Sequence, residues 1–294
     1  MIVVGSRGSQ LALWQARHIA ACLHELGAET RLEIIKTTGD KITDVPLSQV
    51  GGKGLFTKEI EEALLAGAID LAVHSLKDMP TALPAGLTLA AFPEREDPRD
   101  ALIGKRLTEL RPGDRVGTSS LRRAAQLHAL NRSLVIEALR GNVDTRLRKL
   151  DDGRYESIVL AAAGLRRLGW VDRIGELLDI EVMCPAAGQG ALAIETRDDG
   201  GAAHQIACKL DHTPTRLAVT AERSLLATLE GGCQVPIGAH ARVHGVAIDL
   251  RAIVASPDGQ RVLEGSLSGE DPVDLGRRLG EHLLLAGARE ILTA

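Results

Sequence analysis

The run Ile69-Asp70-Leu71-Ala72-Val73-His74 reads as an apolar strand without the in-and-out alternation of a half-exposed one. That pattern belongs to a strand buried on both faces, and so to a sheet with helices above and below it. The run stops at His74-Ser75-Leu76-Lys77-Asp78-Met79-Pro80. Ligands of open α/β sheets bind at the carboxyl ends of the strands, which makes Ser75, Lys77 and Asp78 candidate site residues. Neighbouring Lys77 and Asp78 would equally suit a surface ion pair.

The same strand-then-turn order begins the chain. Met1 to Val4 is apolar, Gly5-Ser6-Arg7-Gly8-Ser9 is a small-residue turn, and Leu11, Leu13, Trp14, Ala16, Ile19, Ala20 and Leu23 follow at helical spacing. Ser9 is the predicted N-cap. A strand feeding a helix start through small residues presents free backbone N–H groups to an anion, and Arg7 would strengthen such a site. Leu32 to Lys36 is a second strand. Between Val45 and Phe56, Gly51, Gly52 and Gly54 surround Lys53 with no apolar periodicity, the mark of a mobile loop or lid. The glycine spacing, and the lack of Ser or Thr after Lys53, exclude a phosphate-binding P-loop. Helix returns over Thr57 to Ala66.

Phe92 to Asp100 is charged and bracketed by prolines, as an interdomain crossing is. Beyond it a second α/β pattern begins, and Val116-Gly117-Thr118 echoes Val4-Gly5-Ser6: each precedes a serine-bearing turn, an arginine and a helix start. The echo predicts two lobes of similar build around a shared cleft. Strands over Leu134–Leu139 and Ser157–Ala163 end near further arginines, so that Arg122, Arg123, Arg140, Arg146 and Arg167 all fall at or just after strand ends. Val182 to Arg197 reads as the return crossing. A helix over Thr215–Leu229, three strands (Ala239–His244, Ala247–Ala255 and Arg261–Leu267) and a closing helix (Val273–Leu292) make a small α+β third domain.

Length allows this: 294 residues exceed what one core usually organises. The net charge of −4 argues against bulk attraction to nucleic acid or an anionic membrane. Aromatic residues are only 2%, too few for base stacking along a strand. Yet Arg95 to Arg173 carries 15 Arg and 2 Lys against 11 acids. Arginine's planar fork suits carboxylate or phosphate, so an anionic ligand is expected in the second lobe. There is no long apolar run and no secretory leader pattern, which predicts a soluble, cytoplasmic protein. Cys22, Cys184, Cys208 and Cys233 lack the spacing of a zinc site or a disulfide framework.

Cys233 follows a Gly231-Gly232 pair directly after the third-domain helix, then Gln234-Val235-Pro236 leads to a strand. Glycines past a helix end free the backbone, so the thiol sits on a tight loop. By itself that loop suits a small buried hydrophobe as well as a reactive thiol.

Assembled, these segments resemble the porphobilinogen deaminase (hydroxymethylbilane synthase) family over essentially the whole chain. The resemblance is carried by Ser9 with Leu11–Ala16, Val50–Phe56, His74–Pro80, Gly117–Arg123, Leu139–Asn142 and Leu229–Gly238. It implies an α/β chain of two hinged domains like those of periplasmic binding proteins, plus a small α+β C-terminal domain. The expected boundaries are 1–92 with 189–210, 93–188, and 211–294. It implies a dipyrromethane cofactor attached to Cys233 through a thioether, onto which four porphobilinogens condense head to tail with loss of ammonia before hydrolysis releases hydroxymethylbilane. It also implies roles. Asp78 is catalytic, stabilising positive charge and assisting proton transfer. Lys77, Ser75, Thr118, Ser120, Arg122 and Arg123 hold the cofactor, and Arg146 the cofactor or the chain growing on it. Arg7, Ser9, Gln15, Phe56, Arg140, Arg167 and Gln189 face substrate, and Lys53 lies on the mobile loop. No metal, nucleic acid or membrane partner is implied, and a monomer is expected. Gln49 departs from the basic residue some relatives carry there, and Ala187 from a common valine.

Two other classes fit parts of this pattern. A two-lobed binding module for a small polyanion would share the architecture but leave Cys233 unexplained. A cysteine hydrolase would need a base, for which His74 and His240 are the candidates.

Overall fold

The computed structural model describes residues 1–41, 54–230 and 235–292. It divides into two compact units, Met1–Glu96 with Ala191–Arg216, and Asp97–Gly190 with Leu217–Ala294. In chain order the first unit supplies β1 (Ile2–Ser6), α1 (Gln10–Glu25), β2 (Thr30–Ile34), α2 (Thr38–Lys41), α3 (Lys58–Leu65), β3 (Leu71–Ser75), a 3-10 turn (Leu76–Asp78) and β4 (Leu87–Ala91). The second begins with β5 (Asp100–Gly104), β6 (Arg115–Gly117), α4 (Leu121–Leu130), β7 (Val135–Glu137), α5 (Val143–Asp151), β8 (Ser157–Ala161), α6 (Ala162–Arg167) and β9 (Glu176–Leu178). The chain returns to the first with β10 (Leu192–Arg197) and α7 (Ala202–Cys208), and α8 (Thr213–Thr228) leads back into the second. There β11 (Ile237–His244), β12 (Ala247–Ala255), β13 (Val262–Gly269), α9 (Pro272–Leu285) and α10 (Ala288–Leu292) complete it.

Two five-stranded sheets follow one plan. The first runs β2-β1-β3-β10-β4, with β1 parallel to β2 and β3, and β10 antiparallel to both its neighbours. The second runs β7-β6-β8-β5-β9, with β6 parallel to β7 and β8, and β5 antiparallel to β8 and β9. β1 and β6 therefore hold equivalent places, which is the structural content of the Val4-Gly5-Ser6 and Val116-Gly117-Thr118 echo. The antiparallel strand in each sheet is the one by which the chain arrives or returns, β5 in one and β10 in the other. A third, all-antiparallel sheet, β11-β12-β13, belongs to the C-terminal part.

Each sheet has its own core. In the first unit Val4, Leu71, Val73 and Ile194 of the sheet meet Ala16, Ile19 and Leu23 of α1. Those three α1 residues lie at the spacing that puts them on one helical face. Ile19 and Leu23 are fully buried, each contributing on the order of 1.5–3 kcal/mol. The C-terminal sheet packs Leu250 and Val254 against Leu225 of α8 and Leu279 of α9. The single closing helix expected over Val273–Leu292 is two helices, because Gly287 between them takes φ 99°, a left-handed conformation that ends a helix.

Candidate functional site

In the first unit, β1 and β3 lie side by side and parallel, with Val4 opposite Leu71 and Gly5 opposite Ala72. Their carboxyl ends therefore open at the same edge of the sheet. A recess of about 80 Å³ forms there, lined by Arg7, Ser9, Gln15, Phe56, His74, Ser75 and Asp78 among others. Local rules place each side chain. Ser9 caps α1, its hydroxyl accepting from the Ala12 N–H at 3.3 Å. The Arg7 guanidinium lies over the Phe56 ring, 4.1 Å from its centroid, a cation–π contact that holds both. Buried Gln15 holds Ser75 through its amide, Nε2 donating to Oγ at 2.9 Å. The 3-10 turn brings half-buried Lys77 and exposed Asp78 to the same edge. The Asp78 carboxylate has no hydrogen-bond or ion-pair partner among the described residues.

The second unit concentrates charge. Asp100, fully buried at the start of β5, accepts from Arg122 Nη1 at 2.7 Å on one oxygen. Its other oxygen takes Arg123 Nε at 2.9 Å and Nη2 at 2.7 Å, and Gln189 Nε2 at 2.9 Å. Although burial opposes it, the paired guanidinium groups hold the Asp100 carboxyl far below the usual carboxylate range. Burial in turn pulls the Arg123 guanidinium below its usual range. Two cations share one anion, so the network carries a net positive charge. Among the described residues it is also incomplete, since Arg122 Nε is buried there without a partner. Arg122 and Arg123 reach this point from the first turn of α4, which Ser120 caps by accepting from the Arg123 N–H. Thr118 Oγ1 accepts from the Ser120 N–H at 3.2 Å, setting the turn between β6 and α4.

The remaining arginines differ. Arg140 is half-buried just after β7, burial lowers its affinity for the proton, and its guanidinium has no partner among the described residues. Arg146, on α5, donates from Nε to the Gly141 carbonyl at 2.7 Å. Arg167, at the end of α6, is 9% exposed and donates to the Gly190 carbonyl at 2.7 Å. Gln189, read from sequence as facing substrate, is fully buried and tied to Pro98 as well as Asp100.

Lys53 and Cys233 lie outside the described residues. The flank of Cys233 is instructive nonetheless. Glu230, directly before the Gly231-Gly232 pair, takes a left-handed conformation at φ 53°, the sole non-glycine to do so among the described residues. Buried Glu222 of α8 accepts from Gly188 N–H at 2.7 Å and Ala241 N–H at 2.8 Å. Buried Cys184 has its thiol pushed up to about 12 by desolvation, which leaves it inert at neutral pH.

Sequence reasoning missed Asp100, Glu61 and Glu195. Asp100 sits in the proline-bracketed stretch taken as a crossing, and an acid opening a strand carries no local sign that it will be buried. Among the described residues no three His, Cys, Asp or Glu side chains are grouped to hold a metal ion, and no helix is long and apolar enough to cross a membrane.

Comparison with known proteins matches two family profiles: "Porphobilinogen deaminase, dipyromethane cofactor binding domain" over residues 2–205, and "Porphobilinogen deaminase, C-terminal domain" over residues 216–285. The porphobilinogen deaminase of Syntrophobacter fumaroxidans is 51% identical over 99% of this chain and 97% of its own. That of Trichlorobacter lovleyi is 52% identical over 98% and 95%. Among solved structures, a periplasmic substrate-binding protein from Coxiella burnetii aligns at 15% identity with a TM-score of 0.44, covering 76% of this chain and 97% of its own.

Proposed function

The chain belongs to the porphobilinogen deaminase family, and on that premise we propose how its own residues carry the family's reaction. That reaction is a transfer: four porphobilinogens are joined head to tail, each losing ammonia, and hydroxymethylbilane is released by hydrolysis. Dipyrromethane, attached to Cys233 through a thioether, supplies the primer on which the rings are joined.

The observation that carries the site assignment is the Asp100 network, buried, net positive and, among the described residues, short of an acceptor at Arg122 Nε. A ligand bearing several carboxylates answers both deficits. Arg122 has the open edge and takes a carboxylate directly. Arg123 is committed to Asp100 and to the Val159 carbonyl at 2.9 Å, and acts through its charge. Lys77, Ser75, Thr118, Ser120 and Arg146 complete the cofactor set. Arg140, desolvated and unpaired among the described residues, takes a substrate carboxylate, with Arg167, Arg7, Ser9, Gln15 and Phe56 around the substrate. Gln189 contributes by holding Asp100 in place. Asp78 offers an unpaired carboxylate to the ring N–H groups and to the positive charge that develops as ammonia leaves. Lys53 belongs to a loop that closes over the site. The domain limits 1–92 with 189–210, 93–188 and 211–294, a hinge between the first two, and a monomer working in the cytoplasm complete the reading.

The test is the mass of the denatured protein. An excess over the 31.2 kDa chain equal to two porphobilinogens less two ammonias, located on the Cys233 peptide and lost in Cys233→Ser, is the expected result. Bare protein that gains nothing on incubation with porphobilinogen would remove the assignment.

A further inference from the structure

Behind the recess, side chains from three elements meet away from solvent. Glu61 enters from α3, Glu195 from β10 and His74 from β3, at 7%, 0% and 6% exposure. His74 Nε2 lies 3.0 Å from Glu195 Oε2. Glu195 Oε1 and Glu61 Oε1 have no hydrogen-bond partner among the described residues. A buried acceptor without a donor is costly, and two neighbouring buried carboxylates add mutual repulsion. One proton held between them relieves both penalties.

The surroundings agree. Burial pushes the Glu61 carboxyl above its ordinary range; the Thr57 hydroxyl pulls it partly back, and the charge on Glu195 adds to the push. Among the described residues the charged and titratable groups near Glu61 are few. β10 contributes Glu195, and also Arg197, which is bonded to the Leu64 carbonyl at the far end of α3. β3 contributes His74, and β4, Leu-Thr-Leu-Ala-Ala, has no titratable side chain. On α3 itself Glu62 is exposed beside Lys58, and Glu59 accepts from Thr38. Arg7 and Asp78 stand across the recess.

We propose that Glu61 and Glu195 share one buried proton, and that His74, which lines the recess beside Ser75 and Asp78, passes it to the ammonia leaving porphobilinogen. This rests on reading the recess as the substrate site. The C–N bond of the protonated aminomethyl group breaks with its electron pair on nitrogen. The ammonia released takes a proton from His74 and departs as ammonium. His74 regains a proton from the carboxyl pair, and the pair is reloaded from solvent, into which joining the rings releases one proton. Removing ammonia as ammonium makes the elimination hard to reverse. His74 touches the leaving group, while Glu61 and Glu195 act through it.

The experiment uses cofactor-loaded protein, with loading verified by denatured mass, in native form and as Glu61→Gln, Glu195→Gln and His74→Asn. Infrared spectra and turnover are followed together across pH. The native protein is expected to show a protonated-carboxyl C=O band at neutral pH that is absent from Glu61→Gln and titrates in step with the alkaline limb of turnover. Glu195→Gln is expected to move band and limb together to lower pH by about one unit, since the charge that favours the protonated form is gone. His74→Asn is expected to keep the band and lose turnover by on the order of a hundredfold. A native spectrum without the band, a limb that stays in place in Glu195→Gln, or native turnover in His74→Asn overturns the proposal. Native protein that never acquires a pyrrole adduct overturns the reading of the recess with it.

Discussion

Arg122 Nη1 stands 2.7 Å from Asp100 Oδ2, and the two side chains are 5% and 0% exposed. The same Nη1 also donates to the Cys184 carbonyl at 2.7 Å. One guanidinium nitrogen thus ties α4 to the start of β5 and to the segment before Pro185, while Nε of the same group has no partner among the described residues. A buried pair of this kind is weak evidence for stability, because desolvation consumes most of the attraction. An arginine fixed at one edge and open at another is better explained by what it binds.

Asp100→Asn is expected to destabilise the protein by about 3–5 kcal/mol, because two buried guanidinium groups lose their counter-charge. Asp100 has a depressed folded-state pKa. Its contribution is therefore present above the ordinary carboxylate range and is lost as pH falls through the depressed value. Urea unfolding at neutral pH and under strongly acid conditions checks this: the gap between native and variant should close only in strong acid.

Asp78→Asn is expected to keep the covalent cofactor, since Asp78 pairs with no described residue, and to reduce turnover by about 10²–10³-fold, the usual cost of removing a charge-stabilising group. Denatured mass and steady-state product formation measure the two effects separately. Turnover within a factor of two of native would remove Asp78 from the chemistry.

Glu61→Gln is expected to stabilise the fold, but only over part of the pH range. Raised in the folded state by burial, Glu61 favours folding fully below its ordinary value of 4.5 and loses that contribution as pH rises through the raised one. Glutamine escapes the loss. Melting temperatures of native and variant should coincide near pH 4 and separate, with the variant higher, toward pH 8.

Glu230→Gly is expected to stabilise by up to about 1 kcal/mol. Glu230 takes a left-handed conformation at φ 53°, which costs a residue with a Cβ on the order of 1–2 kcal/mol and glycine little; the added freedom of glycine in the unfolded chain offsets part of the gain. Thermal unfolding at fixed pH measures it. A loss of stability would mean that the Glu230 side chain holds the chain leading to Cys233.

The local sequence already contained the helix starts that follow β1 and β6. Ser9 caps as expected, and Ser120 caps its helix in the same way, because an N-cap depends on a hydroxyl and the next three residues, and on nothing distant. The strand ends at Ser75 and Gly117 were legible for the same reason: a run of apolar residues and a break are local facts. So was the echo between Val4-Gly5-Ser6 and Val116-Gly117-Thr118, which became the shared plan of two sheets. Its antiparallel fourth strand was not legible, since strand order depends on crossings between residues about a hundred positions apart.

What the sequence determined by itself was the family, the order of the elements and the residue types at the strand ends, since each is written in short contiguous motifs. Tertiary structure decided the state of those residues. Arg122, Arg123 and Gln189 look alike in sequence as polar side chains free to meet a ligand, yet Asp100, 22 to 89 positions away, holds all three. Glu61 and Glu195 are unremarked letters, and His74 no more than a candidate base for another chemistry, until the sheet brings the three together where water does not reach. Desolvation and partner charge set what an ionisable group does, and neither exists before the chain has closed around it.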